Sequence, residues 1–181
     1  MNRKKLTEHL NKLYKVYQYQ DYGPNGLQVE GKLEIKKVGL SVSATKESVD
    51  LAVKHDVDAL ICHHGLFWKF HGARPIKGSF ARRVSPLIKN DINLFGFHLP
   101  MDGHPKLGNA AYIAKLLGQK NTEPFGDVDG MPTGVVIHFY RPMSPRKLKK
   151  ELEDKLRHPV LHSSPGNEDI ASLGIITGGA K

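Results

Sequence analysis

The sequence predicts an α/β fold in which β-α-β units build a largely parallel sheet with flanking helices, joined by a second, smaller α/β region. Three observations carry this. Short apolar runs such as "VDALIC" and "INLFGFHL" alternate with stretches whose apolar residues recur every three to four positions. The runs are nearly continuous, as strands buried on both faces must be, and a parallel sheet is where such strands occur. The chain has 181 residues, 39% of them apolar, enough for a packed core.

Taken in order, residues 3–17 place Leu6, Leu10, Leu13, Tyr14 and Tyr17 on one helical stripe. Gly23, Pro24 and Gly26 in "DYGPNGLQVEGK" then break it. "IKKVGLSVSA" reads as a strand and "TKESVDLAVKHD" as a helix capped by Thr45. The strand "VDALIC" follows, so these two strands are expected to be parallel with a right-handed crossover. A helix over 79–89, interrupted or shifted by Pro86, leads into a strand over 92–99. "PKLGNAAYIAKLLG" is a third helix closed by Gly118.

Near residue 124 the texture changes. "TGVVIHFYRP" alternates as a more exposed strand, a basic helix follows, and "HPVLHSSPGNED" is rich in turn residues. The expected division is 1–123 for the main α/β domain, 124–171 for a smaller flanking or inserted region, and 172–181 for the start of a further unit. "SLGIITGGAK" repeats the texture of "KVGLSVSATK", yet nothing follows it, and a lone strand cannot bury both faces. The C-terminal portion is therefore expected to be missing.

Composition narrows the function classes. No apolar run approaches the roughly 20 residues of a membrane span, and the N-terminus turns amphipathic at once, so a cytoplasmic location is expected. The single cysteine, Cys62, cannot form an internal disulfide and packs as a small hydrophobe. A formal charge of +9 suits a polyanionic partner. The densest basic cluster, 141–157, interleaves acids at helical spacing, which is the pattern of a solvated helix face.

Functional groups collect past the carboxyl ends of parallel strands. There "ALIC" is followed by His63 and His64, and "INLFGF" by His98, with Asp102 four residues on. Three histidines and an aspartate at one sheet edge suit a metal, and the donor set admits zinc, manganese, iron, cobalt or nickel alike. Adjacent residues in extended backbone point to opposite sides, so His63 and His64 are expected to serve two different ions. The plainer alternative is that backbone carbonyls satisfy each ring. Asp58 stands at the opposite end of its strand and is read out of the site. Phe67 and Trp68 could stack a base or pack at an interface. His71, His104, His138, His158 and His162 are assigned none of the chemistry, apart from a supporting place for His104 beside Asp102. "TGGA" is a weak candidate for a phosphate nest.

"DYGPNGLQVEG", "ALICHHGLFWK" and "DINLFGFHLPMDGHPKLGNAA", in this order, resemble the three N-terminal motifs of the Nif-three-like family, also catalogued as GTP cyclohydrolase I type 2 homologues. The resemblance covers the whole chain. It implies a hexameric toroid built from trimers, with two divalent metal ions per subunit. It assigns His63 and His64 to one ion each, Asp102 to the metal-binding aspartate, and His98 to a supporting or proton-carrying place beside them. The family's remaining ligands, a histidine and a bridging glutamate near its C-terminus, have no counterpart in this sequence.

The implied function is metal-dependent hydrolysis of a nucleotide-like or other small phosphorylated substrate. A Gly-rich phosphate loop of the Walker type is absent. The alternative is a non-enzymatic, ring-shaped metal-binding scaffold that contacts nucleic acid through its basic surface.

Overall fold

Side-chain caps start the first two regular helices. Asn2 accepts from the Lys4 amide at 2.9 Å ahead of α1 (Arg3–Tyr14), and Thr45 from the Ser48 amide at 3.1 Å ahead of α2 (Lys46–Lys54). The computed structural model describes residues 1–163, 166 and 168–178. They form two compact units, Met1–Met101 and a second that begins at Asp102.

The first unit is built on a four-stranded sheet in the order β1-β4-β3-β2, from β1 (Gly26–Val29), β2 (Val38–Ser43), β3 (Ala59–His64) and β4 (Asn93–Gly96). β2 runs parallel to β3 and β3 parallel to β4, as the β-α-β pattern requires. β1 adds antiparallel to β4, which makes the sheet mixed. That strand lies in the stretch read as a simple break. Its four residues follow Pro24 and enter through Gly26 at φ 102°, so turn residues hide a strand too short to show a period.

Helices cover both faces of this sheet. Leu60, Cys62 and Leu94 pack with Val49 and Ala52 of α2 and with Phe80, Val84 and Leu87 of α3 (Gly78–Lys89). Ala59 and Phe95, of opposite parity, pack with Leu6 and Leu10 of α1. Pro86 neither interrupts α3 nor shifts its start. The stripe of Phe80, Val84 and Leu87, buried to 2% exposure or less, holds the helix together across the missing amide.

The β2 edge is open. Val38 and Leu40 stand opposite Ala59 and Ile61 on the face that α1 covers elsewhere, yet Leu40 is 80% and Val42 71% exposed. At the far end of β3 a polar clamp closes the strand. The Asp58 carboxylate accepts from Lys32 Nζ at 2.9 Å and from the Lys36 and Lys37 amides at 2.9 and 3.0 Å. Buried Asn93 donates to the Lys32 and Asp58 carbonyls and accepts from the Gly31 amide, which satisfies its carboxamide.

A single turn, α4 (Leu99–Asp102), carries the chain to the boundary. The second unit pairs α5 (Asn109–Leu116) and α6 (Pro145–Leu156) with a three-stranded antiparallel sheet. Its order is β5 (Glu123–Val128), β6 (Met131–Met143) and β7 (Ile170–Ile176). Ala110, Ala111 and Ala114 pack on Val135, Ile137 and Ile175. The division thus falls near residue 101, where a break near 123 was expected, because the small-residue face of α5 packs on β6 and β7. Residues 172–176 lie in the third strand of this sheet. The end of "TGGA", residues 179 and 180, lies outside the described residues. Among those residues no helix is long and apolar enough to cross a membrane.

Candidate metal centre

β3 does not stop at "ALIC" but runs through both histidines, where Ser43 of β2 still pairs with His64. The pleat turns the two side chains to opposite sides, and at the strand end the rings nevertheless come within 4.4 Å of each other, centroid to centroid. His98, two residues past β4, brings a third ring 5.1 Å from His63 and 5.6 Å from His64. One ring nitrogen from each of the three lies within 4.8 Å of the others, a group that could hold a metal ion. Alternation along the strand therefore does not separate the two histidines as far as their parity suggests.

Each ring is oriented through Nδ1. His63, buried, is 3.1 Å from the Phe97 carbonyl; His64 is 2.9 Å from Ser43 Oγ; His98 is 2.7 Å from Asp21 Oδ1. A carbonyl and a carboxylate can only accept, so His63 and His98 carry their proton on Nδ1 and present Nε2 as the basic nitrogen. This is how metal-binding histidines are commonly set, and the three rings fit a divalent ion of the borderline class. The carbonyl of the plainer reading is present at His63, on Nδ1.

Asp21 lies under His98 with a side chain 1% exposed. Burial alone would raise its carboxyl. Hydrogen bonds from His98, Asn25 and the Leu99 amide, with the His98 charge, outweigh burial and hold it below the ordinary carboxylate value. Asn25 links the pair, accepting from the His98 amide at 2.8 Å and donating to Asp21 at 2.9 Å. Gln28 accepts from the Leu66 amide at 2.9 Å and donates to the Pro24 carbonyl at 2.7 Å. A Cβ on either Gly65 or Gly96 would run into its carboxamide, which is why two glycines flank this position. Asp21, Asn25 and Gln28 are the functional residues missed by reasoning from residue types. They belong to "DYGPNGLQVEG", and the motif itself was the available signal.

Asp102 belongs to the second unit, where its Oδ1 accepts from Asn109 Nδ2 at 2.7 Å and Thr177 Oγ1 at 2.8 Å. The three-histidine group does not include it. His104 Nδ1 accepts from the Lys106 and Leu107 amides. Burial pushes the Cys62 thiol up to about 12, so it is an inert core group. Phe67 packs edge-to-face with buried Phe80, centroids 5.6 Å apart, while Trp68 and His98 meet edge-to-face with centroids 5.1 Å apart. The aromatic pair therefore divides, one ring to the core and one to the site.

Known proteins resemble this chain. The Duf34/NIF3 (NGG1p interacting factor 3) description matches residues 1–181. The "GTP cyclohydrolase 1 type 2 homolog" of Haemophilus influenzae is 38% identical over all of this chain and 72% of its own length. That of Pyrococcus abyssi is 32% identical over 98% of this chain and 71% of its own. Among solved structures, protein ybgI, described as of unknown function, superposes with a TM-score of 0.86 at 37% identity, over 99% of this chain and 70% of that one. TTHA1606 from Thermus thermophilus gives 0.74 at 36% identity, over 85% and 61%.

Proposed function

The chain belongs to the DUF34/NIF3 family, and on that premise we propose that it is a metal-dependent hydrolase of nucleotide-like or other small phosphorylated substrates. The observation that supports this most is the convergence of three histidine rings, two of them fixed through Nδ1 by groups that only accept. When bound, divalent ions supply Lewis acidity, which polarises a substrate oxygen and makes water a competent nucleophile near neutral pH. His63 and His64 hold the ions. The family resemblance assigns a metal-binding place to Asp102, whose carboxylate accepts from Asn109 and Thr177.

His98 carries the proton. The buried Asp21 carboxylate holds the ring through Nδ1, so Nε2 is the nitrogen that takes up a proton and returns it to a leaving nitrogen or oxygen. Asn25 fixes the backbone of His98, and Gln28 fixes that of Leu66, so the ring approaches its neighbours from one direction.

Metal content and turnover test this together. The purified chain, loaded separately with zinc, manganese, iron, cobalt and nickel, is expected to retain at least one ion, to lose it in His63→Ala and His64→Ala, and to hydrolyse a member of a nucleotide panel. His98→Ala is expected to keep the metal and lose turnover. Metal retained unchanged in both His63→Ala and His64→Ala would sink the metal centre, and metal lost in His98→Ala would make that ring a ligand and remove its proton-carrying role.

A further inference from the structure

Beside the histidine cluster lies a pocket of about 250 Å³ whose lining includes Pro24, Phe67, Trp68, Lys69, His71 and Arg74. It shares Pro24, Phe67 and Trp68 with the narrow crevice that His63 and His98 line, so a ligand seated here lies against the cluster. Trp68 is half-buried and stacks on Phe70 with centroids 5.8 Å apart and planes at 19°. Phe70 is 72% exposed. Phe70 backs Trp68 from outside the lining, so the π surface at this metal-type site is that of Trp68, one that an aliphatic substrate would not need.

The same wall is cationic. Arg74 lies 4.1 Å over the ring of buried Phe80 and 3.1 Å from His71 Nδ1, so its guanidinium is positioned by an aromatic face and an imidazole. Among the described residues no carboxylate pairs with Lys69, Arg74 or Arg83. The Arg83 guanidinium is held below the ordinary arginine value by burial and then by repulsion from Arg74, as expected where positive charges gather without a partner. A planar guanidinium with no carboxylate opposite it is suited to an oxyanion, and with Lys69 also in the lining the wall suits a dianion better than a carboxylate.

We propose that this pocket binds a nucleoside monophosphate-like ligand, a planar heteroaromatic ring against Trp68 with its phosphate toward Arg74 and Lys69. The proposal rests on the hydrolase reading for its biological purpose and on the pocket alone for its chemistry. The volume, just under the range of about 300–1,000 Å³ of drug-sized sites, is on the scale of a single small ligand.

Trp68 is the chain's one tryptophan, so its fluorescence reports this pocket directly. AMP and GMP are titrated into the full chain stripped with EDTA, with N-acetyltryptophanamide as the optical control. Saturable quenching is expected. It should weaken about tenfold for adenosine and for Arg74→Glu, and less for Phe70→Ala, whose ring supports Trp68 from outside the lining. Because the chain is metal-free, loss of the metal reading leaves this signal in place, and loss of this signal leaves the metal content of the loaded chain in place. Should Arg74→Glu lose its circular dichroism signal, Lys69→Glu takes its place.

Quenching that tracks the optical control, or an affinity unchanged in the folded charge-reversal variant, overturns the proposal. So does a twelve-residue oligodeoxynucleotide binding about tenfold tighter than AMP, which would make the occupant a polymer. Sedimentation supplies the last outcome. If Phe70→Ala dissociates an oligomer while nucleotide affinity stays the same, the aromatic face is an interface between copies and the proposal falls.

Discussion

Replacing Asp21 with asparagine keeps its shape, removes its charge and turns a pure acceptor into a group that can also donate. His98 Nδ1, now 2.7 Å from a carboxylate, would then be free to lose its proton to the other nitrogen. Nitrogen-15 spectra of the metal-free chain at pH 8 are expected to show His63 and His98 protonated on Nδ1, and Asp21→Asn to mix the His98 tautomers without touching His63. A His98 spectrum unaffected by that change would show that Asp21 does not set the ring. Asp58 yields a different kind of prediction. Its carboxyl is lowered from 3.8 to about 2, first by the hydrogen bond from Lys32 and then by the Lys36 amide. A depressed carboxyl stabilises the fold above its unfolded value and loses that contribution as pH falls through the folded one. Stability should therefore decline by on the order of 1 kcal/mol, after allowance for screening, as pH drops from about 4 to about 2. Asp58→Asn should flatten urea midpoints across that window. Residue chemistry alone made His63, His64 and His98 legible, because each follows an apolar run. It did not reveal Asp21 or Asn25, because their partners lie 77 and 73 positions away and only the fold joins them.

Among elements, α3 departs most from its sequence pattern. Pro86 costs it one backbone hydrogen bond, and the buried stripe compensates. Pro86→Ala restores the missing donor without disturbing Phe80, Val84 or Leu87, and is expected to stabilise the chain by about 1 kcal/mol, read as a raised thermal midpoint. A lowered midpoint would mean that the proline ring itself packs. The long periodic elements, α1, α2 and β3, were legible because burial is written into their spacing. β1 was not, since four residues framed by glycine and proline carry a turn signal stronger than any period. Its place in the sheet is set by pairing with β4, a contact that no local window contains.

For the whole molecule, the α/β class followed from the alternation of buried runs and amphipathic stripes, while the division into units did not. α5 has the periodicity of one more helix in the first series, and only its packing on β6 and β7 assigns it to the second. The +9 charge acts at this scale as well, since self-repulsion at low ionic strength opposes non-specific association. That protection has a weak point. The row of Val38, Leu40 and Val42 leaves the first sheet open-ended, with an apolar strand whose backbone groups can still accept a neighbour. Adding salt should therefore shorten the shelf life of a concentrated solution, with particle size by light scattering growing over days. Leu40→Lys should hold it constant at a cost in stability of about 0.5 kcal/mol or less. Growth at the same rate in Leu40→Lys would point to another surface. The first sheet would then set how the chain must be stored as well as where its histidines stand.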